Sequence, residues 1–283
     1  MLKTTDGGDT WSVQDASSFS TCHFACSDTG WACTGGMIKK TTDGGQNWHS
    51  TIIDTNEIIG LFFQDIYFTN STLGWAIGSV NYGGARIFRT IDGGISWQCM
   101  GAYADYPISI LSSIYFLDSG WGWAASNYDG KVIHSKTNGA TWKLQDTGIN
   151  KNIYSIQFIN KTTGYAVCEG GIIITTNDSG ETWRTIESPV NQSLRSIRFY
   201  NDTVAWAVGI NGAMIKTTDG GQTWQNMQEI SITSSLNDIF FIDENVGWAV
   251  GKGGSIYKTV NGGEEWELQE SGTTSQLYSV IFT

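Results

Sequence analysis

Residues 197–224 read IRFYNDTVAWAVGINGAMIKTTDGGQTW, and close copies of this stretch recur along the whole chain. Its last eight residues, Thr217–Trp224, form a box with the pattern Thr/Ser-x-Asp-x-Gly-x-x-Trp. The box occurs seven times and ends at Trp11, Trp48, Trp97, Trp142, Trp183, Trp224 and Trp266. Its third position is occupied, in chain order, by Asp6, Asp43, Asp92, Thr137, Asp178, Asp219 and Asn261. Self-similarity at a nearly fixed period indicates a repeat architecture.

A second motif lies between the boxes. It consists of a hydrophobic residue, any residue and Phe, followed by Gly-Trp-Ala or a close variant. The Phe position is occupied by Phe24, Phe68, Phe116, Phe158, Phe199, Phe241 and Phe282. The aromatic position that follows seven residues later is occupied by Trp31, Trp75, Trp123, Tyr165, Trp206 and Trp248. Alternation with period two around the Phe predicts a β-strand.

Each unit of about 42 residues therefore contains four short strands, A to D, separated by turn residues. In the quoted repeat, strand A contains Phe199, strand B contains Trp206, strand C is Met214–Thr217, and strand D begins at Trp224. Four strands per repeat of roughly 40–50 residues are typical of a β-propeller blade. We predict an all-β protein, a seven-bladed β-propeller of four-stranded antiparallel blades, in a single domain spanning residues 1–283.

The boxes resemble the Asp-box repeat, also called the bacterial neuraminidase repeat. The fuller pattern, from the Phe through Gly-Trp-Ala-Val-Gly to Lys-Thr-x-Asp-Gly-Gly-x-x-Trp, is similar to the photosystem II stability/assembly factor-type propellers. The resemblance covers essentially the whole chain. It implies a propeller that binds a protein partner as an assembly factor does, in an extracellular or periplasmic location for a secreted protein. Since one fold serves many functions, the resemblance is specific for fold and only weakly specific for function.

The composition excludes several classes of protein. With 35 Gly, 13 Trp and only 15% charged residues, the chain is unlike a helical bundle, and its 13% aromatic content is unlike a disordered chain. The formal net charge of −11 and the lack of Lys or Arg runs argue against nucleic acid and anionic membrane surfaces as partners. No apolar run approaches the roughly 20 residues needed to span a bilayer, and the start has no signal-peptide pattern.

The box residues are predicted to be structural. A carboxylate at the third position can accept hydrogen bonds from backbone N–H groups of its own turn, and the Gly at the fifth position can adopt a positive φ. A calcium loop would need several oxygen ligands in series, whereas the neighbours here are Thr and Gly. We therefore predict neither a metal site nor a cofactor.

The two ends of the chain are predicted to share one blade. Met1–Trp11 supplies strands C and D, Leu277–Phe282 supplies strand A, and strand B is missing. Either the chain is a fragment of a longer protein or this blade is incomplete, and we favour the fragment.

Loop lengths distinguish the two ends of each predicted sheet. The A–B spacing and the boxes are constant, so insertions fall in the B–C turns and D-to-A crossings, at residues 49–63, 79–86 and 99–111. Binding surfaces typically carry such insertions. The candidate binding residues are Tyr82, Arg86, Tyr103, Asp105, Tyr106, Asp129, Glu169, Arg195, Asp238 and Lys252. Arg195 and Asp238 are expected where strand A enters the central channel, and the alternative that the others are only solvated loop residues stays open.

Enzymatic chemistry is the main alternative to binding. Sialidases contain Asp boxes, but the expected Phe-Arg-Ile-Pro has only Phe88-Arg89-Thr90 as its nearest match, which runs into a box. Other glycosidases place two carboxylates about 5–9 Å apart, and nothing in the sequence pairs the acidic candidates Asp65, Asp105, Asp129, Glu169 and Asp238. We favour a non-enzymatic, monomeric binding module for a protein partner. A glycoside hydrolase, a glycan-binding propeller and a structural domain of a larger secreted protein stay open.

Two further features fall outside the repeat pattern. Trp121 precedes Gly122-Trp123 in an A–B hairpin, where it either contacts a sugar or partner or folds back on the blade edge. Its counterparts in the other repeats are Thr29, Leu73, Thr163, Val204 and Val246. Cys22 and Cys33 share one hairpin and are predicted to be two buried thiols, although a disulfide stays open.

Overall fold

The computed structural model describes residues 1–15, 17–53, 60–80, 84–102, 110–227 and 232–283. In these ranges the secondary structure consists of 27 β-strands and three single-turn 3-10 helices. The strands form seven sheets, of which five have four strands, one has five and one has two. The prediction of an all-β fold with mainly four-stranded antiparallel sheets is therefore confirmed.

The strands follow one another along the chain sheet by sheet. The first two sheets contain β1 (Leu2–Lys3) and β2 (Ser12–Val13), then β3 (Thr21–Phe24), β4 (Gly30–Thr34), β5 (Met37–Thr41) and β6 (His49–Ser50). The five-stranded sheet contains β7 (Ile52–Ile53), β8 (Leu61–Phe68), β9 (Gly74–Val80), β10 (Gly84–Thr90) and β11 (Ser96–Ala102). The next two contain β12 (Leu111–Phe116), β13 (Gly122–Ser126), β14 (Lys131–Ser135), β15 (Lys143–Asp146), β16 (Ile153–Phe158), β17 (Gly164–Cys168), β18 (Ile173–Thr176) and β19 (Arg184–Ile186).

The last two sheets have the same plan. They contain β20 (Leu194–Phe199), β21 (Ala205–Gly209), β22 (Met214–Thr217), β23 (Gln225–Asn226), β24 (Leu236–Phe241), β25 (Gly247–Gly251), β26 (Ile256–Thr259) and β27 (Glu267–Gln269). The three 3-10 turns replace the B–C turn of their repeats and span Glu169–Gly171, Ile210–Gly212 and Lys252–Gly254. Strand D mostly begins just after the box Trp rather than at it, as β23 does after Trp224.

Contacts between Cα atoms divide the chain into two compact units. The first unit contains Met1–Ala16, Tyr165–Thr175 and Arg184–Phe282, and the second contains Ser17–Gly164, Thr176–Trp183 and Thr283. In the second unit, β7 pairs in parallel with β11 as an added outer strand, with Ile52 opposite Ser96. The sequence pattern did not predict this fifth strand, because β7 lies in a crossing that the other repeats do not share.

Aromatic stacking links consecutive repeats within each unit. In the second unit, Trp31 stacks on Phe68 with ring centroids 3.4 Å apart, and Trp75 stacks on Phe116 at 3.5 Å. The other stacked or tilted pairs of this kind are Trp123–Phe158, Tyr165–Phe199, Trp206–Phe241 and Trp248–Phe282. Most of these Phe rings are also approached edge-on by the box Trp of their own repeat, as Trp142 approaches Phe116 at 5.7 Å. The repeated spacings of the Phe, the strand-B aromatic residue and the box Trp thus bring these rings into contact.

A β-bulge recurs near the start of strand A. The register shifts between Phe63 and Asp65 in β8, and equivalent shifts occur in β12, β20 and β24. A bulge leaves one residue unpaired and redirects its side chain. Arg195 and Asn237 are the bulged residues of β20 and β24, so their side chains are free to reach beyond their own sheet.

The terminal segments meet inside the first unit, but the predicted strand at Leu277–Phe282 is not formed. The sheet here has only β1 and β2, because the described residues supply no strand B to which both β1 and Leu277–Phe282 would pair. Phe282 nevertheless stacks on Trp248 at 3.6 Å and contacts Trp11 edge-on at 6.0 Å, which are the positions of a repeat Phe.

Candidate functional site

The Asp-box turns are closed by their own side chains. Asp219 accepts hydrogen bonds from Thr223 N at 2.9 Å, Thr223 Oγ1 at 2.6 Å and Thr217 Oγ1 at 2.8 Å. Thr217 Oγ1 in turn accepts a bond from Gly221 N at 2.9 Å. These donors, the Thr223 hydroxyl first among them, lower the pKa of Asp219 from 3.8 to about 2. Both oxygens of the Asp219 carboxylate thus accept hydrogen bonds from donors within its own turn.

The boxes without Asp keep the same geometry. Asn261 Oδ1 accepts a hydrogen bond from Glu265 N at 3.0 Å, and Thr137 Oγ1 accepts one from Thr141 N at 2.9 Å. A neutral oxygen at the third position therefore closes the turn, and the charge itself is dispensable for its shape.

This comparison within one chain predicts the effect of removing the Asp219 carboxylate. Asp219→Ala is expected to lower the free energy of unfolding by about 1 kcal/mol, the usual contribution of a lost hydrogen-bond acceptor, and Asp219→Asn by less. Because the pKa of Asp219 is lowered from 3.8 to about 2, its stabilisation is fully present above about pH 4 and is lost as the pH falls towards 2. Urea unfolding midpoints from pH 7 to pH 2 measure both effects.

The exposed neighbour Thr218 provides the matched control, and Thr218→Ala should leave the acid dependence unchanged. An Asp219→Asn protein that loses stability between pH 4 and pH 2 as steeply as the wild type would contradict the assignment.

Backbone hydrogen bonds define two sides of each sheet. On the turn side, which carries the A–B turn and the box, Gly220 N donates to Thr203 O at 2.8 Å, and five other repeats have the same bond. On the insertion side, which carries the B–C turn and the D-to-A crossing, Lys252 N donates to Ser235 O at 2.9 Å. The loops that vary in length thus lie opposite the regular turns.

The predicted binding residues fall in different positions on the insertion side. Four of them, Tyr82, Tyr103, Asp105 and Tyr106, lie outside the described residues. Arg86 is half-buried in β10, and its Nη1 donates to Ala85 O at 3.0 Å.

The three charged turn residues are spread over different repeats. Asp129 accepts a hydrogen bond from Lys131 N at 3.3 Å in a B–C turn of the second unit. Glu169 and Lys252 begin two of the 3-10 turns of the first unit, where they occupy equivalent positions in different repeats. They are therefore turn residues of separate repeats.

Asp238, expected where strand A enters the central channel, is buried near the start of its strand A. It is 6% exposed, and its carboxylate accepts hydrogen bonds from Ser196 Oγ at 2.7 Å and Val280 N at 3.0 Å. Ser279 Oγ also donates to it at 3.1 Å. These partners lie on the preceding and following strand-A segments, so Asp238 connects three repeats and presents no free oxygen to a ligand.

Arg195 also contributes to contacts between neighbouring repeats. From its bulge it donates through Nη1 to Asn237 Oδ1, and Asn237 Nδ2 donates to Leu277 O at 2.6 Å. In the second unit, Asp65 repeats the role of Asp238, since it accepts bonds from Thr21 Oγ1 at 3.2 Å and Ile114 N at 3.0 Å. The sequence suggested Asp65 only as a possible catalytic acid. Its position three residues before a repeat Phe, shared with Asp238, was the signal for the structural role.

Three exposed apolar side chains, two of them aromatic, lie on the insertion side of the second unit. Met37 is 51% exposed where a B–C turn enters β5, Phe62 is 55% exposed at the start of β8, and Tyr128 is 63% exposed in another B–C turn. Large apolar groups in water at chain crossings are typical of contact surfaces. Sequence reasoning missed all three, since Met37 and Phe62 lie within regular strands.

The described residues show little sign of acid–base or metal chemistry. The carboxyl groups of the five box Asp residues, of Asp146 and of Glu181 have lowered pKa values, held down by hydrogen bonds or ion pairs. A general acid needs the opposite shift. No cluster of three or more metal-ligating side chains occurs in the described ranges, and no helix there is long and apolar enough to cross a membrane. The five cysteines, all within the described ranges, are not joined in disulfides, and Cys33 is buried whereas Cys22 is half-buried.

The chain is similar to several known proteins. Residues 134–229, about a third of the chain, match a family model described as photosynthesis system II assembly factor YCF48. A solved structure of YCF48 bound to D1 peptide has a TM-score of 0.76 at 20% identity, over 94% of this chain and 86% of that chain. YCF48 from Cyanidioschyzon merolae has a TM-score of 0.72 at 18% identity, over 94% and 89%.

A more distant likeness is to the GH74 xyloglucanase from Xanthomonas campestris, with a TM-score of 0.70 at 15% identity over 95% of this chain and 46% of the enzyme. No curated protein sequence matches the chain. At these identities the likenesses establish the fold, so the chain is a β-propeller with Asp-box repeats that resembles the photosystem II assembly factor.

Proposed function

We propose that this protein is a non-enzymatic, protein-binding propeller that holds a segment of its partner on the insertion side of the second unit. The observation that carries the proposal is the exposure of Met37, Phe62 and Tyr128 on that side, next to the insertions. Aromatic and sulfur-containing side chains in such positions supply most of the binding energy of protein interfaces. A YCF48 structure of the same fold was solved with a D1 peptide, which supports a peptide segment as the ligand here.

We further propose that the chain forms one monomeric, seven-bladed propeller, with the seventh blade built from both termini. The contacts of the first unit support this. Trp248 stacks on Phe282, Lys258 Nζ lies 2.7 Å from Asp9 Oδ1, and Trp11 contacts Phe282 edge-on. In the first unit, Lys216 Nζ likewise donates to the carbonyl of Gly262 in the next box, at 2.8 Å. The N-terminal box therefore follows the last complete repeat as an ordinary next repeat would.

A carbohydrate-active propeller is the second candidate, and it rests on the GH74 likeness. That likeness is fold-level, and the chain spans only 46% of the xyloglucanase. The lowered carboxyl pKa values of Asp92 and Asp219 argue against these two box residues as a general acid. Release of reducing sugar from xyloglucan by the purified protein would favour this candidate and overturn ours.

The proposed function is tested with a phage-displayed library of random 12-residue peptides. Wild-type protein is expected to enrich peptides that bind it. Phe62→Ala/Tyr128→Ala is expected to weaken the best of these by at least about tenfold, the effect of losing one or two hot-spot side chains. Fluorescence anisotropy of the labelled peptide measures the change.

Ile91→Ala/Val260→Ala is the matched control, because these side chains are 71% and 66% exposed but lie in boxes, on the turn side. Failure to enrich any peptide, or equal weakening by the control variant, would overturn the proposal.

A further inference from the structure

Residues that break a repeat pattern are not required by the packing of the blade. In the repeat built from β12 to β15, four such departures lie on the turn side. Trp121 stands where the other repeats have a smaller residue, and His134 stands where they have mainly Lys or Arg. Lys136 stands where they have an uncharged residue, and Thr137 where they have mainly Asp. Together they add an indole and remove the box carboxylate from one end of this sheet.

The indole of Trp121 lies beside two cations. Lys136 Nζ is 4.6 Å from the ring centroid and Lys161 Nζ, from the next repeat, is 5.6 Å from it. Cation–π attraction of this kind favours both positions. Both lysines are exposed, and neither forms an ion pair within the described ranges. Two ammonium groups therefore flank one indole, and neither of them is held in an ion pair.

Below the indole, the packing is rigid. His134 is 4% exposed and stacks on Trp123 with centroids 4.7 Å apart and planes at 4°, while Trp121 packs against it at 5.1 Å. Burial, reinforced by Lys136, lowers the pKa of His134 to about 4, so the ring is neutral at pH 7. Trp121 is half-buried by these contacts, which leaves its position fixed and its outer edge in water.

The surrounding charges leave this spot positive in an acidic protein. Lys143 is paired with Glu181 at 2.9 Å, so that pair is neutral. The nearest box carboxylate is absent, because the third position here is Thr137. Lys136 also helps to lower the pKa of Glu181, so this one carboxylate faces both Lys143 and Lys136, and the three lysines of the spot outnumber it on a chain whose formal net charge is −11. An anion is the only ligand that this pattern would select over the rest of the surface.

We propose that Trp121, Lys136 and Lys161 form a second binding site, which takes a segment of acidic residues from a protein partner. The proposal rests on the proposed protein-binding function but uses the opposite side of the sheets. A peptide fits better than a sugar, because two ammonium groups already lie against the indole that a sugar would stack on. Carboxylates spaced along a peptide can bind both ammonium groups at once.

The probe is a fluorescein-labelled peptide of eight Glu residues, with eight-Lys and Gly-Ser peptides for comparison. Anisotropy titrations at pH 7 are run in 50 and 300 mM salt. We expect the Glu peptide alone to bind, and to bind more weakly in high salt, since exposed charges are screened. Lys136→Gln/Lys161→Gln should weaken binding by at least about tenfold. Trp121→Thr should weaken it too, and this variant should fold, because Thr is native at this position in other repeats.

Lys131→Gln is the matched control, because Lys131 lies at the opposite end of β14, where it pairs with Asp146 at 2.9 Å. Equal weakening by this control, or no binding by the wild type, overturns the proposal. Preferential binding of polygalacturonate, an acidic glycan, overturns the assignment to a peptide. Phe62→Ala/Tyr128→Ala should bind the Glu peptide normally, so failure of the insertion-side site and failure of this site are distinguished.

Discussion

Gly94→Ala is expected to lower the free energy of unfolding by about 3 kcal/mol, the sum of a strained left-handed residue and an overpacked core. Gly94 has φ +78°, and a Cβ added there would lie 2.4 Å from Nε1 of the buried Trp31. Trp31 has nowhere to move, since it is stacked on Phe68 at 3.4 Å and donates to Gly93 O at 2.9 Å. Urea unfolding followed by tryptophan fluorescence measures the loss.

The chain supplies a control that separates backbone strain from contact. Gly148 has φ +76° but nothing within 4 Å of an added Cβ. Gly148→Ala should therefore lower the free energy of unfolding by only about 1 kcal/mol, the cost of φ alone. Equal losses of unfolding free energy in the two variants would show that the close contact of the Gly94 box with Trp31 does not contribute to stability.

Trp75→Ala is expected to have the largest effect, a loss of about 4 kcal/mol, as for other buried Trp or Phe side chains cut to Ala. Trp75 is fully buried, stacks on Phe116 at 3.5 Å, and donates from Nε1 to Asn138 O at 3.0 Å. Its removal leaves a cavity between two repeats and an unpaired carbonyl. The same urea experiment measures it.

Tyr165 indicates the milder variant. In this column Tyr165 Oη donates to Gly220 O, so a Tyr can fill the Trp position and keep a bond to the next box. Trp75→Tyr should therefore lose less than half as much stability as Trp75→Ala. A Tyr variant as unstable as the Ala variant would show that the hydrogen bond and the smaller ring do not substitute here.

The candidate site was only partly predictable. The insertions predict a contact surface at one end of the sheets, which stays a prediction, and Tyr82, Tyr103, Asp105 and Tyr106 lie outside the described residues. Asp238 was expected where strand A enters the central channel, as a binding residue; it is buried, and donors 41 and 42 residues away compensate its charge. No local pattern reveals partners at that separation.

The contacts around Trp121 were also only partly predictable from the sequence. The sequence identified Trp121 as a departure from its column and left open whether it folds back on the blade. The structure shows that it does pack against His134 while Lys136 and Lys161 approach its ring. Lys161 belongs to the next repeat, so the pairing depends on how the two sheets lie side by side.

The sequence by itself determined the repeat, its turns and most of its strands, although it did not predict β7 and the strand expected at Leu277–Phe282 is not formed. It did so because the complete repeats bury the same strand-B aromatic column, as Trp206 does, and close the same turn, as Asp219 does with Thr217, so local periodicity carries the information. Only the tertiary structure decided which residues meet between repeats, from the stacking of Trp75 on Phe116 to the enclosure of Asp238. Those contacts join residues about 40 positions apart, and their geometry is set by the packing of sheets rather than by any spacing along the chain.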